Sequence, residues 1–379
     1  MIKVWNFAFN HVPGPAIPNY EDRELVQRAF NFNMNLIASM EKRGFEGVFF
    51  SEHHFVASLS PNPNLLVATL AARTERMKIG VMGNVLPFHT PFRLFEDLAM
   101  LDYLTNGRLE IGVASGIPPE FLLVKIPQDE IRPRFAETLD FLAEAEKDLF
   151  VTFNGQFTNM DDVPLMPRPR KEARRRHWMT IYSESSCRDA ARRDFKVCTG
   201  FQSSAAAGAA FDAYRDEAAK HGRDVGPDDI GIRRQVVLGD THEEAVQLNQ
   251  ELKDGAIERI EHTYKVVFDR FEKAGLTQVS SIRSSGIADA SAVAHKADPK
   301  EKKGPAPRGI DVSDEEFISG SPATVAEQIV EQCRIMGAGN ILAYQSTAMN
   351  ETQLEKNYRL WEQVIPILAK ADVLGGVPA

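Results

Sequence analysis

Apolar residues along this chain alternate between two spacings. Short, nearly continuous apolar runs at Ile2–Phe9, Gly47–Glu52, Met77–Gly83 and Arg108–Ala114 predict buried strands. Between them the apolar positions recur at helical spacing. Asp22 to Arg43 sets Leu25, Ala29, Leu36 and Met40 on roughly one face and stops at Gly44. Pro63 to Thr74 predicts a second helix. Pro91 to Thr105 predicts a third, opened by proline and closed by Asn106-Gly107. The pattern then repeats with longer excursions. Helices are expected at Glu130 to Phe150, Ser204 to His221, from Thr241 onward, Pro322 to Met336 and Glu351 to Ala369. Strands are expected at His177–Ser183, Phe195–Thr199, Ile230–Leu238 and Asn340–Gln345. Residues 151–176, rich in proline and arginine, read as irregular.

This makes about eight strand–helix units, and unbroken alternation implies parallel strands with helices outside. In a chain of 379 residues, that number favours closure over an open sheet. The expected fold is α/β, a (β/α)8 TIM barrel with insertions, as one domain over 1–379. The stretch 276–317 interrupts the pattern with serines, glycines, prolines and the run Lys300-Glu301-Lys302-Lys303. It reads as a mobile lid loop within that domain.

A net charge of −9 argues against nucleic acid and against anionic membrane surfaces as partners. No apolar stretch reaches the ~20 residues that span a bilayer. No basic stretch precedes an apolar one at the N-terminus, so no signal peptide is expected. Cys187, Cys198 and Cys333 lack both metal-ligand spacing and the even count of a disulfide framework. A reducing cytoplasm is the simplest compartment.

Barrel enzymes build their sites at the C-terminal ends of strands, and four such ends carry unusual residues. The second strand runs into Glu52-His53-His54-Phe55. Neighbouring side chains on a strand point to opposite faces, so one of the two histidines is expected to enter the mouth. The pair is open to three readings: structural histidines, metal ligands with Glu52, or one acid–base histidine beside a cofactor. The metal reading finds no further converging histidines on later strands. Met82-Gly83-Asn84 after the third strand, and Ala114-Ser115-Gly116 after the fourth, keep bulk away from the backbone. Ser183-Glu184-Ser185-Ser186 runs from a strand into a helix, where serine hydroxyls and free amides form either an anion site or a plain N-cap. Arg188 lies close enough in sequence to add a charge.

Taken in order, these segments resemble the bacterial luciferase-like flavin-dependent monooxygenases. The resemblance rests on Glu52-His53-His54-Phe55, Val81-Met82-Gly83-Asn84-Val85-Leu86-Pro87, Pro91-Phe92-Arg93, Gly107-Arg108, Ser183-Glu184-Ser185-Ser186 and Gly320-Ser321-Pro322-Ala323-Thr324. It is weakest over 151–176 and 240–316. It implies a homodimeric luciferase-like barrel that binds FMN in its mouth. The flavin ring would lie over a cis peptide at Met82–Gly83, with Asn84 beside it and the phosphate near Glu184, Ser185 and Ser186. His53 would act as the acid–base group. Reduced FMN would come from a separate flavin reductase, and molecular oxygen would convert it to a flavin peroxide that oxygenates a small organic substrate. Many relatives carry an arginine where this chain has Ser115. Either Arg188 or a lysine or arginine of the lid, such as Arg283, supplies the missing phosphate charge, or FMN is held weakly and shared as a substrate. The reactive cysteine of luciferase is matched by Ala114. The alternatives are a deazaflavin-dependent oxidoreductase of the same fold and a non-catalytic flavin-binding protein.

Overall fold

The computed structural model describes residues 1–170, 177–253 and 312–373. Its strands are β1 Lys3–Ala8, β2 Gly47–Phe50, β3 Lys78–Val85, β4 Leu109–Ala114, β5 Phe150–Asn154, β6 Asn159–Pro164, β7 His177–Thr180, β8 Lys196–Thr199, β9 Ile230–Leu238, β10 Phe317–Gly320 and β11 Asn340–Tyr344. The helices are α1 Arg23–Ser39, α2 Pro63–Ala71, α3 Pro91–Leu104, α4 Pro118–Leu123, α5 Ile131–Ala145, α6 Glu184–Arg192, α7 Ser204–Lys220, α8 Pro322–Met336 and α9 Glu351–Leu368. A further helix opens at 242, with the Thr241 hydroxyl accepting from the Glu244 amide.

All barrel pairings are parallel. They run β9–β11–β1–β2–β3–β4–β7–β8 and return from β8 to β9, closing eight strands. β9 is the longest of them. Ile230 to Ile232 pair with β8, and Gln235 to Leu238 pair with β10 on the same edge. The barrel strands are buried on both faces, as parallel strands covered by helices must be.

Two apolar compartments result. Most buried side chains lie in one continuous cluster between the strands and the surrounding helices. A separate cluster fills the barrel interior with Trp5, Phe49, Trp178 and Leu342 below, and Phe7, Met82, Cys198 and Tyr344 with them. Trp5 stacks on Phe49 at 4.9 Å and meets Trp178 edge-on at 6.2 Å. Both indole N–H groups are satisfied: Trp5 donates to Asn340 at 2.9 Å and Trp178 to Glu110 at 2.7 Å. This aromatic plug explains Gly47. A Cβ there would stand 2.5 Å from the Trp5 ring and from the Lys78 carbonyl oxygen.

Two expectations need correction. Residues 151–164 are not irregular: β5 and β6 form an antiparallel hairpin. Its turn begins at Asn154-Gly155, a strong hairpin signal that the surrounding prolines and arginines obscure. The Glu137 carboxylate accepts from the Gln156 and Phe157 amides, and Val151 and Leu165 pack on Phe95 and Phe141. Phe317, expected at the end of a lid, instead begins β10. Just before it, Ser313 caps a 3-10 turn over Asp314–Glu316. The rest of the expected lid, 276–311, and Arg283 within it lie outside the described residues. So do 171–176.

Gly47→Ala should destabilise the fold by about 1–3 kcal/mol, because the added carbon meets main chain on one side and a packed indole on the other. The measurement is a lower urea midpoint at an unchanged slope. An unshifted midpoint would mean that the plug yields.

Candidate functional site

The open end of the barrel holds a cavity of about 150 Å³. Its wall is built where strands stop: Phe7 in β1 and Phe9 after it, His53 after β2, Met82 and Gly83 in β3, Ser115 after β4, and Arg233 in β9. Larger hollows of about 260 Å³ under α3 and α5, and about 550 Å³ beside the β5–β6 hairpin, lie on the flank of the barrel.

The peptide between Met82 and Gly83 is cis. Here the β3–β4 register shifts, between Val81 and Asn84. A Cβ on Gly83 would fall 2.5 Å from the Val113 main chain, so the strands close at this point only around glycine. Asn84 does not line the cavity. Its side chain is buried, accepts from Asn64 at 3.1 Å and donates to the Gly112 carbonyl at 3.0 Å, which ties α2 to β4.

The two histidines part company. The His53 ring stacks on Phe9 at 5.0 Å with only 9° between planes, and it faces the cavity. Its Nδ1 lies 3.2 Å from Glu120 Oε1 in α4. His54 turns the other way, its ring 4.8 Å from Phe88 and its Nε2 3.0 Å from Glu52. Glu52 also accepts from the Val85 amide at 3.1 Å and contacts His89 Nε2 at 3.0 Å. His54 therefore belongs to a knot that binds the end of β2 to the end of β3. Burial pushes the Glu52 carboxyl up, but its bonds to His54, His89 and the Val85 amide outweigh that and hold it at about 2. Among the described residues no three His, Cys, Asp or Glu side chains converge as a metal ion would require.

On β9, Arg233 and Arg234 point to opposite faces. Arg233 enters the cavity with its guanidinium 3.9 Å from the Phe201 ring centroid and 5.2 Å from that of Tyr344. Arg234 is fully buried outside the barrel and donates to Gln332 at 2.7 Å. The Glu316 carboxylate joins both, 2.5 Å from Arg233 and 3.3 Å from Arg234, and accepts the Phe201 amide at 2.7 Å. Cys198 also lines the cavity, but burial pushes its thiol up to about 12, so it is no nucleophile at neutral pH. Burial likewise pushes Cys187 and Cys333 up to about 12.

The serine segment begins α6. Ser183 caps it in a reciprocal capping box with Ser186, and the Ser183 and Ser185 hydroxyls lie 3.0 Å apart on the surface. Glu184, Ser185, Ser186 and Arg188 do not line the cavity, but Thr180 and Tyr182, immediately before them, do. Arg188 lies 3.7 Å from Glu184 and 3.6 Å from Glu217. Sequence reasoning missed Glu120 and Arg233. Paired arginines inside an apolar strand are a usable signal, since such charges are rarely buried without purpose. The short Pro-Pro-Glu helix offers none.

The Glu52 knot has a measurable consequence. A carboxyl held at about 2 against an ordinary 4.5 contributes stability that is complete above pH 4.5 and lost as pH falls toward 2. The amount is on the order of 3 kcal/mol. In Glu52→Gln this acid-limb slope should flatten, read from urea midpoints across that pH range. A slope equal to that of the unsubstituted protein would show that Glu52 does not carry it.

The sequence profile of the luciferase-like monooxygenases matches residues 9–338. An uncharacterized protein of Sinorhizobium fredii is 28% identical over 253 residues, 66% of this chain and 72% of its own. The oxygenase component of the flavin-dependent trigonelline monooxygenase of Acinetobacter baylyi is 32% identical over 96 residues, 25% of this chain and 27% of its own. Among solved structures, the monooxygenase RslO1 of Streptomyces bottropensis superposes with a TM-score of 0.74 at 22% identity, covering 96% of this chain and 99% of that one. The oxygenating constituent of 3,6-diketocamphane monooxygenase from Pseudomonas putida, in complex with FMN, gives 0.68 at 19% identity, covering 98% and 97%. An F420-dependent secondary alcohol dehydrogenase gives 0.65 at 13% identity, covering 97% and 99%. The chain belongs to the luciferase-like monooxygenase family of flavin-dependent oxidoreductases.

Proposed function

We propose that this protein is the oxygenase component of a two-component monooxygenase. It would take reduced FMN from a separate reductase and insert one atom of molecular oxygen into a small organic substrate. The observation that carries this reading is the cavity itself, where His53 faces the Met82–Gly83 edge of the barrel mouth. The donor set suits a flat ring with an anionic tail. Phe9, Val85 and Ala114 offer apolar wall, and Tyr182 leads from the cavity to the α6 N-terminus with its surface hydroxyls on Ser183 and Ser185. A flavin bound there would supply the electrons that activate oxygen, and the chain's own groups would supply orientation, dryness and proton control.

In this reading His53 exchanges the proton with the reacting centre, and Phe9 keeps its imidazole flat against the wall. Met82, Gly83 and Ser115 border the ring. Ser185, Ser186 and the first-turn amides of Glu184 and its neighbours receive the phosphate, with Arg188 turning from its carboxylate partners toward it. Asn84 acts by holding β3 against β4 rather than by touching the cofactor. A reducing cytoplasm suits three buried, unpaired thiols.

Two anaerobic titrations test the proposal, one with reduced FMN and one with reduced F420, each followed by admission of oxygen. Tight binding of reduced FMN, with delayed reoxidation and oxygenation across a panel of small organic compounds, is expected. His53→Ala should cut that oxygenation about 100-fold or more while FMN affinity and thermal unfolding stay unchanged. Hydride transfer from reduced F420 without oxygen uptake would assign the fold to the dehydrogenase branch, and binding without turnover would leave a flavin carrier.

The same reading includes a homodimer. Leu65 on α2, and Met100, Tyr103 and Leu104 on α3, are exposed although apolar. The last three share one helix face. Packing α2 and α3 against a second copy would cover them. Light scattering should give a dimer mass at micromolar concentration, and Met100→Glu with Leu104→Glu should give the monomer mass. A monomer from the unsubstituted chain would refute the assembly.

A further inference from the structure

We propose that Glu120 is the positioning residue for His53, fixing which ring nitrogen carries the proton and stabilising the charged ring once it has taken a second one. The inference rests on the reading of His53 as the acid–base group, and it assigns a role to a residue outside every motif of the sequence.

The Glu120 side chain is 2% exposed, whereas that of its partner His53 is 21% exposed. Glu120 Oε1 lies 3.2 Å from His53 Nδ1 and accepts the His54 amide at 3.0 Å. One oxygen thus holds the ring and the main chain that carries it. The other, Oε2, is buried without a hydrogen-bond partner. A buried carboxylate left half-satisfied costs stability. It sits where α4, which follows β4, meets the chain after β2. The ring is held in two further ways: Phe9 covers one face at 5.0 Å, and the His53 amide donates to the Ser60 carbonyl at 3.4 Å.

The chemistry follows from the geometry. A carboxylate can only accept, so a neutral imidazole bonded to it through Nδ1 carries its proton there. Nε2 then holds the lone pair that takes a proton from the reacting centre. The resulting imidazolium keeps its contact with a carboxylate that is itself buried, where that attraction is stronger than in water. His54 has a glutamate of its own, Glu52, but that one is tied to the β3 backbone and to His89. Two adjacent histidines thus use two carboxylates for different ends. The other titratable or charged groups that line the cavity are Glu52 on the segment of His53 itself, Tyr182 before α6, Cys198 in β8 and Arg233 in β9.

The test uses the full chain in three forms: unsubstituted, Glu120→Gln and Glu120→Asp. The glutamine keeps shape and an acceptor oxygen but removes the charge. Nitrogen-15 resonances of the His53 ring report tautomer and titration without any substrate. The unsubstituted protein should show the Nδ1-protonated tautomer, and Glu120→Gln should lower the ring's titration midpoint by about 1–3 pH units, with Glu120→Asp between the two. The acidic limb of the pH profile for oxygenation should move by the same amount in the same order, mainly through kcat. A ring whose tautomer and midpoint are identical in all three forms overturns the proposal, whatever the activity does. A ring that shifts while the pH profile stays fixed overturns the acid–base reading of His53, and Glu120's part in turnover falls with it. The isosteric glutamine separates both outcomes from misfolding, which thermal unfolding of each variant checks directly.

Discussion

Closing parallel strands into a barrel leaves the interior with two ends, and what fills one decides the use of the other. Here Trp5, Phe49 and Trp178 occupy the interior as a stacked and edge-on cluster with both indole N–H groups satisfied. The strands' C-terminal ends are left to carry the groups that face the cavity. His53, the Met82–Gly83 peptide, Ser115 and Arg233 reach one cavity because the closed barrel brings the ends of its strands around it. The plug is also why the mouth can hold charged groups at modest cost, since the apolar burial that stabilises the barrel is complete beneath it.

Charges at that mouth are arranged in buried carboxylates, each shared by more than one partner. Glu52 joins β2 to β3, Glu120 joins α4 to the chain after β2, and Glu316 joins β9 to the loop after β8. Sharing has a physical logic. A carboxylate removed from water needs several donors to recover its lost hydration. Spanning two elements therefore brings donors to the charge and fixes the relative position of the elements together. Catalytic geometry in a barrel depends on loops that no single strand controls, and these carboxylates stand in for a longer framework.

The barrel was readable because its strands are apolar runs and its helices carry proline, asparagine and glycine punctuation at their ends. β10 was not: Phe317–Gly320 is too short to show a period and, among the described residues, pairs only with the last residues of β9. The β5–β6 hairpin buries one face lightly against Phe95 and Phe141, so its pattern is faint even though Asn154-Gly155 marks the turn. Within the cavity, His53 could be singled out by its place after a strand, and the alternation of side chains predicted that only one histidine would face inward. Its partner could not. Glu120 lies 67 residues further along, and nothing in Pro-Pro-Glu-Phe reveals that the short helix folds back on β2. Local pattern carries the elements, while long-range pairing of polar groups is a property of the closed barrel.

The buried thiols bear on how long such a protein would survive its own reaction. Oxidants derived from oxygen attack the thiolate far faster than the thiol. Cys187, Cys198 and Cys333 are all buried and held protonated to about pH 12, including the one in the cavity wall. Peroxide leaking from an unproductive cycle would find no ready sulfur nucleophile among them. Met82, which needs no ionisation to be oxidised and lines the same cavity, becomes the side chain whose sulfoxide would record that damage first.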